Sequence, residues 1–317
     1  MSQMGIPLVS VVIPTYNRAN VICRTIDNVL DQTYSNIEII IVDDGSTDDT
    51  QERLRVYGDK IRVLRQANAG PSAARNRGIE AALGEFIALQ DSDDLWAPSK
   101  LERQVTLLRK VGKCVVCCLC NATLRYTDRP QTTAFDLAWL FPSFEEGVWT
   151  NVADVLATRF VFFCQTAMIR REVIGRVGGF DETLKYHEDY ELPLRLALEG
   201  PWAVIREPLT IWNQGSAESW SQKAMEEEIQ MRECEIRMRR DILARIKGRE
   251  DSERLRRYLL RELGRNYREL WISKLARKNF SGSLSLARVL EKLNRYCWGV
   301  YRRLPWYPMF EGQAAQL

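Results

Sequence analysis

The stretch "ALQDSDDLW" (88–96) sets three carboxylates, Asp91, Asp93 and Asp94, within four positions directly after an apolar run. Neighbouring carboxylates repel, and each raises the pKa of the next. Such a cluster is either a solvated turn or a cation site. Mg2+ or Mn2+ takes one or two carboxylates, several waters and the oxygens of a substrate phosphate. Asp91 and Asp93 stand two apart, which on an extended segment turns them to the same side. The plainer alternative is a capped loop before a helix at "PSKLERQVTLL", with Ser99 or Asp94 near its start.

Four other groups have the right chemistry, each with a structural reading beside it. Tyr16 in "PTYN" suits stacking on a nucleobase or plain packing. Asp43 and Asp44 open "DDGSTDD", where aspartate–glycine is also an ordinary turn signal. Arg75 in "AARNRG" suits either a diphosphate or one of these carboxylates. "HEDYE" (187–191) is either a general base or an acidic helix start favoured by the helix dipole.

Positioning these residues takes a scaffold, and the hydrophobic pattern supplies one. "LVSVVIP" (8–14), "IEIIIVDDGS" (37–46), "IRVLRQ" (61–66) and "GEFIALQ" (84–90) read as strands, the apolar runs among them buried on both faces. Between them, "RANVICRTIDNVLDQ", "TDDTQERLRVY" and "GPSAARNRGIEAAL" carry helical spacing, the second capped by Thr47 or Asp48. This alternation predicts an α/β fold, a Rossmann-like, mostly parallel sheet with flanking helices. Ligands of such sheets bind at the carboxyl ends of the strands. "PTYN", "DDGS" and "DSDD" all lie at strand ends, so they converge on one rim. Further along, a helix is predicted from about Glu188, with Tyr190, Leu194 and Leu198 on one face.

The 317 residues suffice for a domain of about 1–220 and a second, helical region, 221–317. Residues 1–220 carry 23 basic and 29 acidic side chains, whereas 221–303 carry 22 basic against 12 acidic. The two parts therefore face different partners. No apolar stretch reaches the roughly 20 residues of a membrane span, and the N-terminus lacks signal-peptide features. The cysteines form no spaced framework, which points to a reducing cytoplasm. Cys114 and Cys117 have C-x-x-C spacing, but they sit in the β-prone run "CVVCCLC", and the sole histidine is His187. Buried strand cysteines are the expectation, rather than a zinc half-site.

The order and spacing of the blocks add more than any one of them. "VSVVIPTYNR", "IIIVDDGSTDDT", "NAGPSAARNRGI", "GEFIALQDSDD", "VGGFDE" and "HEDYELPLRL" together resemble the family 2 glycosyltransferases of GT-A fold, over roughly residues 7–215. The resemblance implies inverting transfer of a sugar from a nucleotide-diphosphate donor, most often a UDP-sugar, to an acceptor hydroxyl, in surface-polysaccharide or glycan assembly. Carried onto this chain, it puts Pro14 and Tyr16 beside the base, and Asp44, with Asp43 next to it, on the base or ribose. Arg75 falls near the nucleotide or its phosphates, and Asp91 near the ribose or metal. Asp93 becomes the main ligand of a divalent metal, Mn2+ or Mg2+, with Asp94 its understudy. Asp189 becomes the general base. Many relatives then carry a Tyr–Arg pair and a histidine, whereas this chain has "LTIWNQGSAESWS", with Trp212, Asn213 and Gln214 in their place.

Two rivals bear on this reading. A sugar-1-phosphate nucleotidyltransferase calls for a glycine-rich loop after the first strand, and "PTYNR" is none. A non-catalytic sugar-nucleotide or nucleic-acid binding module would use the basic helices and lose affinity steeply with salt; the complete aspartate set argues against it. Beyond the resemblance, "LNRYCWGVYRRLPWYPMF" (293–310) interleaves aromatics with arginine. That suits peripheral contact with the anionic inner face of a membrane, which a lipid-linked acceptor would make useful, or packing back on the domain or across a dimer.

Overall fold

The computed structural model describes residues 5–125, 132–159, 161–213, 227–249 and 252–277. The segment 293–310 and Gln214 lie outside the described residues.

The first half alternates as the pattern requires: β1 (Val9–Thr15), α1 (Ile22–Leu30), β2 (Ile37–Asp43), α2 (Thr50–Arg55), β3 (Arg62–Arg65), α3 (Pro71–Ala81) and β4 (Phe86–Leu89). There follow β5 (Leu95–Trp96), α4 (Lys100–Val111), β6 (Cys117–Arg125), α5 (Ala134–Leu137), β7 (Glu146–Trp149) and α6 (Val152–Thr158). Then come β8 (Ala167–Arg170), α7 (Arg171–Val177), α8 (Glu188–Ala197), β9 (Trp202–Asn213), α9 (Glu228–Arg245) and α10 (Glu253–Arg277).

The strands form one sheet in the order β3-β2-β1-β4-β8-β6-β9-β5, with β7 pairing on β9. The four strands β3, β2, β1 and β4 are parallel. β8 enters antiparallel between β4 and β6, and β9 then runs parallel to β6. The sheet is thus mixed rather than wholly parallel. One consequence matters for the site: the carboxyl ends of β1, β2, β4, β6 and β9 share a single rim.

The unbroken apolar runs are explained by burial on both faces. Val12, Ile40, Val42, Ile87 and Leu89 pack with Ala74 and Ile79 of α3 and with α6, α7 and α8. Val9, Val11, Ile13, Ile39 and Ile41 pack with Ile22, Ile26 and Val29 of α1 and with α4. Each such fully buried aliphatic side chain stabilises the fold by roughly 1.5–3 kcal/mol. α3 lies unusually close to the sheet at Gly78, where a Cβ would stand 2.3 Å from Val12 Cγ1. Cys117 faces one layer while Cys118 and Cys120 face the other, as strand alternation demands, and all three are buried. Cys114 precedes the strand and is exposed.

α9 and α10 pack on each other and, with Ile246 just past α9, add Ile242, Leu255 and Leu259 to the layer behind α6 and α8. Among the described residues the basic region is therefore helical, docked on the α/β layers through an apolar seam. Among the described residues no helix is long and apolar enough to cross a membrane.

Candidate active site

The shared rim gathers three loops. After β1, Asn17 takes a left-handed φ of 52°, a conformation asparagine tolerates better than most residues. Its backbone N–H donates to Ser46 Oγ at 2.9 Å, and its Oδ1 accepts from Thr47 N at 2.8 Å. Arg18 N donates to Thr50 Oγ1, and Ala19 N to Asp48 Oδ2. The "PTYN" and "DDGSTDD" segments are thereby laced into one platform. Asp48 serves that lacing, and its Oδ1 also accepts from Thr50 N at the start of α2, so it does the local task expected of a cap without being the N-cap residue, which is Asp49. Pro14 is half-buried on the platform, and Tyr16 is exposed at its edge.

Asp43 ends β2, Asp44 follows it, and both are buried. Asp43 accepts from Ser46 N and Gln51 Nε2 at 2.9 and 2.8 Å. Asp44 accepts from Gln66 Nε2 and Ala69 N on Oδ1, at 2.8 and 2.9 Å, and from Gly70 N on Oδ2 at 2.8 Å. Its carboxylate fastens the loop that leads into α3, whose first turn begins at Pro71.

α3 then delivers Arg75 to the centre. Its Nη2 donates to Asp91 Oδ1 at 2.8 Å, and its Nη1 lies 3.4 Å from Glu188 Oε1. The guanidinium also sits 5.3 Å from the Phe180 ring centroid. A neighbour on the same helix, Asn76, receives Phe180 N on Oδ1 and donates to Phe180 O. That clamp needs the second glycine of "VGGF": Gly179 has φ 66°, and a Cβ there would fall 2.4 Å from Asn76 Oδ1. Arg195 holds the same turn from α8, donating to Val177 O and Gly179 O while pairing with buried Glu191. The double glycine, Asn76 and Arg195 thus fix where α8 begins.

α8 starts at Glu188 as the sequence predicts, with His187 at φ 67° as its N-cap. Asp189 follows in the first turn, half-buried. Burial, then the adjacent Glu188, push its carboxyl up to about 8, against the opposing pull of Arg75. Asp91 adds to the rise, so the two carboxylates sense each other within one site. His187 itself is turned to α9, 3.4 Å from Glu235 Oε1, and burial lowers its pKa.

The "DSDD" turn closes the site. Burial and the nearby Asp91 carboxylate raise the pKa of Asp93, and Arg18, 3.9 Å away, opposes this. Asp94 is the most enclosed of the three. Burial, with Asp91 beside it, pushes Asp94 up to about 9, although both its oxygens accept hydrogen bonds, from Asn213 N at 2.8 Å and Gln165 Nε2 at 2.7 Å. Asn213 Nδ2 also donates to Asp93 O. The segment after α8 thus reaches the aspartate turn through Asn213 at the end of β9. Among the described residues no three of His, Cys, Asp or Glu are grouped as a metal-ligand set. Asp91 and Asp93 remain as a pair, which is the number of carboxylates a hard cation needs when it shares a substrate diphosphate.

Sequence reasoning missed Glu188 as the second partner of Arg75, Gln165 as the donor to Asp94, and Arg18 as the cation facing Asp93. Only Arg18, beside "PTYN", carried a local signal. A cavity of about 580 Å3 lies at the opposite rim, lined in part by Pro7, Phe86, Arg109 and Arg170, and involves none of these carboxylates.

With the geometry in view, the comparisons with known proteins are decisive for the family. Residues 10–178 match Glycosyl transferase family 2. The chain belongs to that family. It is 36% identical over 190 residues to an uncharacterized glycosyltransferase of Rickettsia typhi, covering 59% of this chain and 57% of the relative. A Rickettsia felis glycosyltransferase is 46% identical over 200 residues, 62% of this chain and 32% of the relative. The chain therefore spans about half the length, or less, of these curated relatives. Among solved structures, S. aureus TarS 1-349 in complex with UDP-GlcNAc superposes with a TM-score of 0.63 at 19% identity, covering 80% of this chain and 71% of that one. The mannosyltransferase PcManGT from Pyrobaculum calidifontis, in complex with GDP-Man and Mn2+, gives 0.58 at 20% identity, over 94% and 83%. At these identities the likeness establishes the GT-A fold, which this family 2 glycosyltransferase shares.

Proposed function

We propose that this family 2 glycosyltransferase moves a sugar, with inversion, from a nucleotide-diphosphate donor to an acceptor hydroxyl, and that Asp189 is its general base. The observation that carries this is Arg75, which joins Asp91 of the donor-side turn to Glu188 of the helix bearing Asp189. One guanidinium thus ties the two halves of a transfer reaction into one site.

A sugar hydroxyl is a weak nucleophile until a positioned carboxylate removes its proton as the new bond forms. Asp189, lifted towards neutral pH by burial, is a stronger proton acceptor than a solvated aspartate once ionised. It takes the acceptor proton while the acceptor oxygen bonds to the anomeric carbon and the diphosphate leaves from the opposite face. The nucleoside rests on Pro14, Tyr16 and the Asp43–Asp44 turn, and Arg75 faces the phosphates.

Asp93 and Asp91 fit a divalent cation, Mn2+ or Mg2+, because each places negative charge beside the other, and burial followed by that repulsion raises the pKa of Asp93. When bound there, such an ion would act as a Lewis acid for the leaving diphosphate. A UDP-sugar is the donor we favour; the ligands in the TarS and PcManGT complexes, UDP-GlcNAc and GDP-Man, are both nucleotide-diphosphate sugars. A role in surface-polysaccharide or glycan assembly, and peripheral contact of residues 221–310 with an anionic membrane, complete the reading.

Calorimetric titration of UDP, GDP and dTDP, with Mn2+ and with EDTA, tests it on wild type and Asp93→Ala. One nucleotide bound tightly, and only with both the metal and Asp93, is the expected result. Binding that ignores EDTA and the substitution returns "DSDD" to a structural turn.

A further inference from the structure

α10 is a 25-residue helix with two contrasting faces. Its inner face buries Leu255, Leu259, Glu262 and Asn266. Half a turn away, at the spacing i, i+4, i+7, i+11, stand Leu260, Gly264, Tyr267 and Trp271. Leu260, Tyr267 and Trp271 are 40%, 46% and 44% exposed. A helix on a globular surface ordinarily turns polar residues outward. This one presents a ridge of large apolar side chains running along its outward face.

Charge frames the ridge. At 100° per residue, Arg257, Arg261 and Arg268 flank it on one side and Arg256 on the other. The acid on this face is Glu253, at the start of the helix, and Arg256 and Arg257 lie 3.4 and 3.3 Å from it. Glu262 and Glu269 fall on the inner side, where Glu262 is met by Arg265 at 2.6 Å and, from the edge of the ridge, by Arg261 at 3.5 Å, and Glu269 by Arg232 at 2.7 Å.

We propose that this ridge is the surface by which the protein lies on an anionic bilayer, Leu260, Tyr267 and Trp271 entering the headgroup layer and Arg257, Arg261 and Arg268 meeting lipid phosphates. This rests on the membrane contact put forward above and names the residues that make it. The helix is too charged to span a bilayer, but apolar and aromatic side chains bordered by arginine have the composition of an interfacial helix. Two other occupants match the charge poorly. A second copy docked about a two-fold axis would set these arginines against their own counterparts. The chain that follows α10 is itself basic, with Lys278, Arg288, Lys292, Arg295, Arg302 and Arg303 against Glu291 and Glu311.

The test is co-sedimentation of the full chain with phosphatidylcholine vesicles and with vesicles that also contain phosphatidylglycerol. Wild type is compared with Tyr267→Ser/Trp271→Ser and with Arg257→Gln/Arg261→Gln, all checked by circular dichroism and by nucleotide binding. Wild type should sediment only with the anionic vesicles, less so as salt rises. Each double variant should lose about tenfold or more in vesicle affinity with fold and nucleotide binding retained. If the variants sediment like wild type, the ridge is not the contact, while the broader membrane reading stands. If wild type never sediments, both fall. A wild-type dimer that the ridge variant splits, without vesicle binding, would make the ridge a self-contact and overturn the proposal.

Discussion

The two aspartate turns, Asp43–Asp44 after β2 and Asp91–Asp94 after β4, look alike in sequence and are built differently. The first is furnished with donors: five hydrogen bonds from Ser46, Gln51, Gln66, Ala69 and Gly70 converge on its two carboxylates. In the second, only Asp94 is held by two donors, from Gln165 and Asn213. Asp93 is left half-buried beside Asp91, with Arg18 3.9 Å off. A carboxylate that accepts several hydrogen bonds stabilises the loop around it, whereas one that is buried and crowded by like charge costs stability until something positive arrives. Asp189 belongs with the second kind. The contrast separates carboxylates that brace the loops around them from carboxylates left with few donors, to which the proposed function gives the metal and the base.

Substitutions break that comparison in opposite directions. The largest effect belongs to Asp189→Asn, which should lower transfer by roughly 10²–10⁴-fold while leaving metal-dependent nucleotide binding intact in a calorimeter. Full activity in that variant would remove Asp189 from the role of base. Asp93→Ala should cost about tenfold or more in metal-dependent nucleotide affinity, in line with lost metal ligation, yet leave the melting temperature unchanged or higher. Asp44→Ala should do the reverse in stability. It strands three donors and should cost roughly 2–4 kcal/mol, read as a lowered denaturant midpoint. If Asp44→Ala is as stable as wild type, the Asp44 carboxylate does not brace its loop.

Asp189 also predicts a pH dependence. Its pKa is raised from 3.8 to about 8, so the proposed base would work only once ionised, and the rate in the free enzyme should climb as pH rises through about 8. The linkage has the matching sign. A carboxyl protonated in the folded state and ionised in the unfolded chain contributes stability that is present below its unfolded pKa and declines as pH rises towards the folded one. Asp189→Asn should therefore melt higher than wild type at alkaline pH, by roughly 2–4 °C if about 1 kcal/mol is relieved. A flat pH–rate profile between neutral and alkaline pH would place the proton transfer elsewhere.

Much of the scaffold was readable along the chain. The runs at 8–14 and 37–46 read as strands because burial on both faces demands continuous apolar residues, and the turns at their ends followed from polar residues and glycine. The rim, and the aspartates on it, came with that pattern. Gln165 and Glu188 did not. Gln165 meets Asp94 across 71 residues of sequence, and Glu188 meets Arg75 across 113. No local propensity encodes such a pairing.

What the sequence determined by itself, then, is periodicity and chemistry: which runs become strands, which turns carry carboxylates, and which helices are basic. Those properties reside in neighbouring residues, within the reach of a turn or a strand. What only the tertiary structure decided is which carboxylates are satisfied and which are left wanting a cation or a proton, and which face of α10 looks outward. Burial and hydrogen-bond partners are properties of distant segments brought together, and identical aspartates become different groups according to the company they keep.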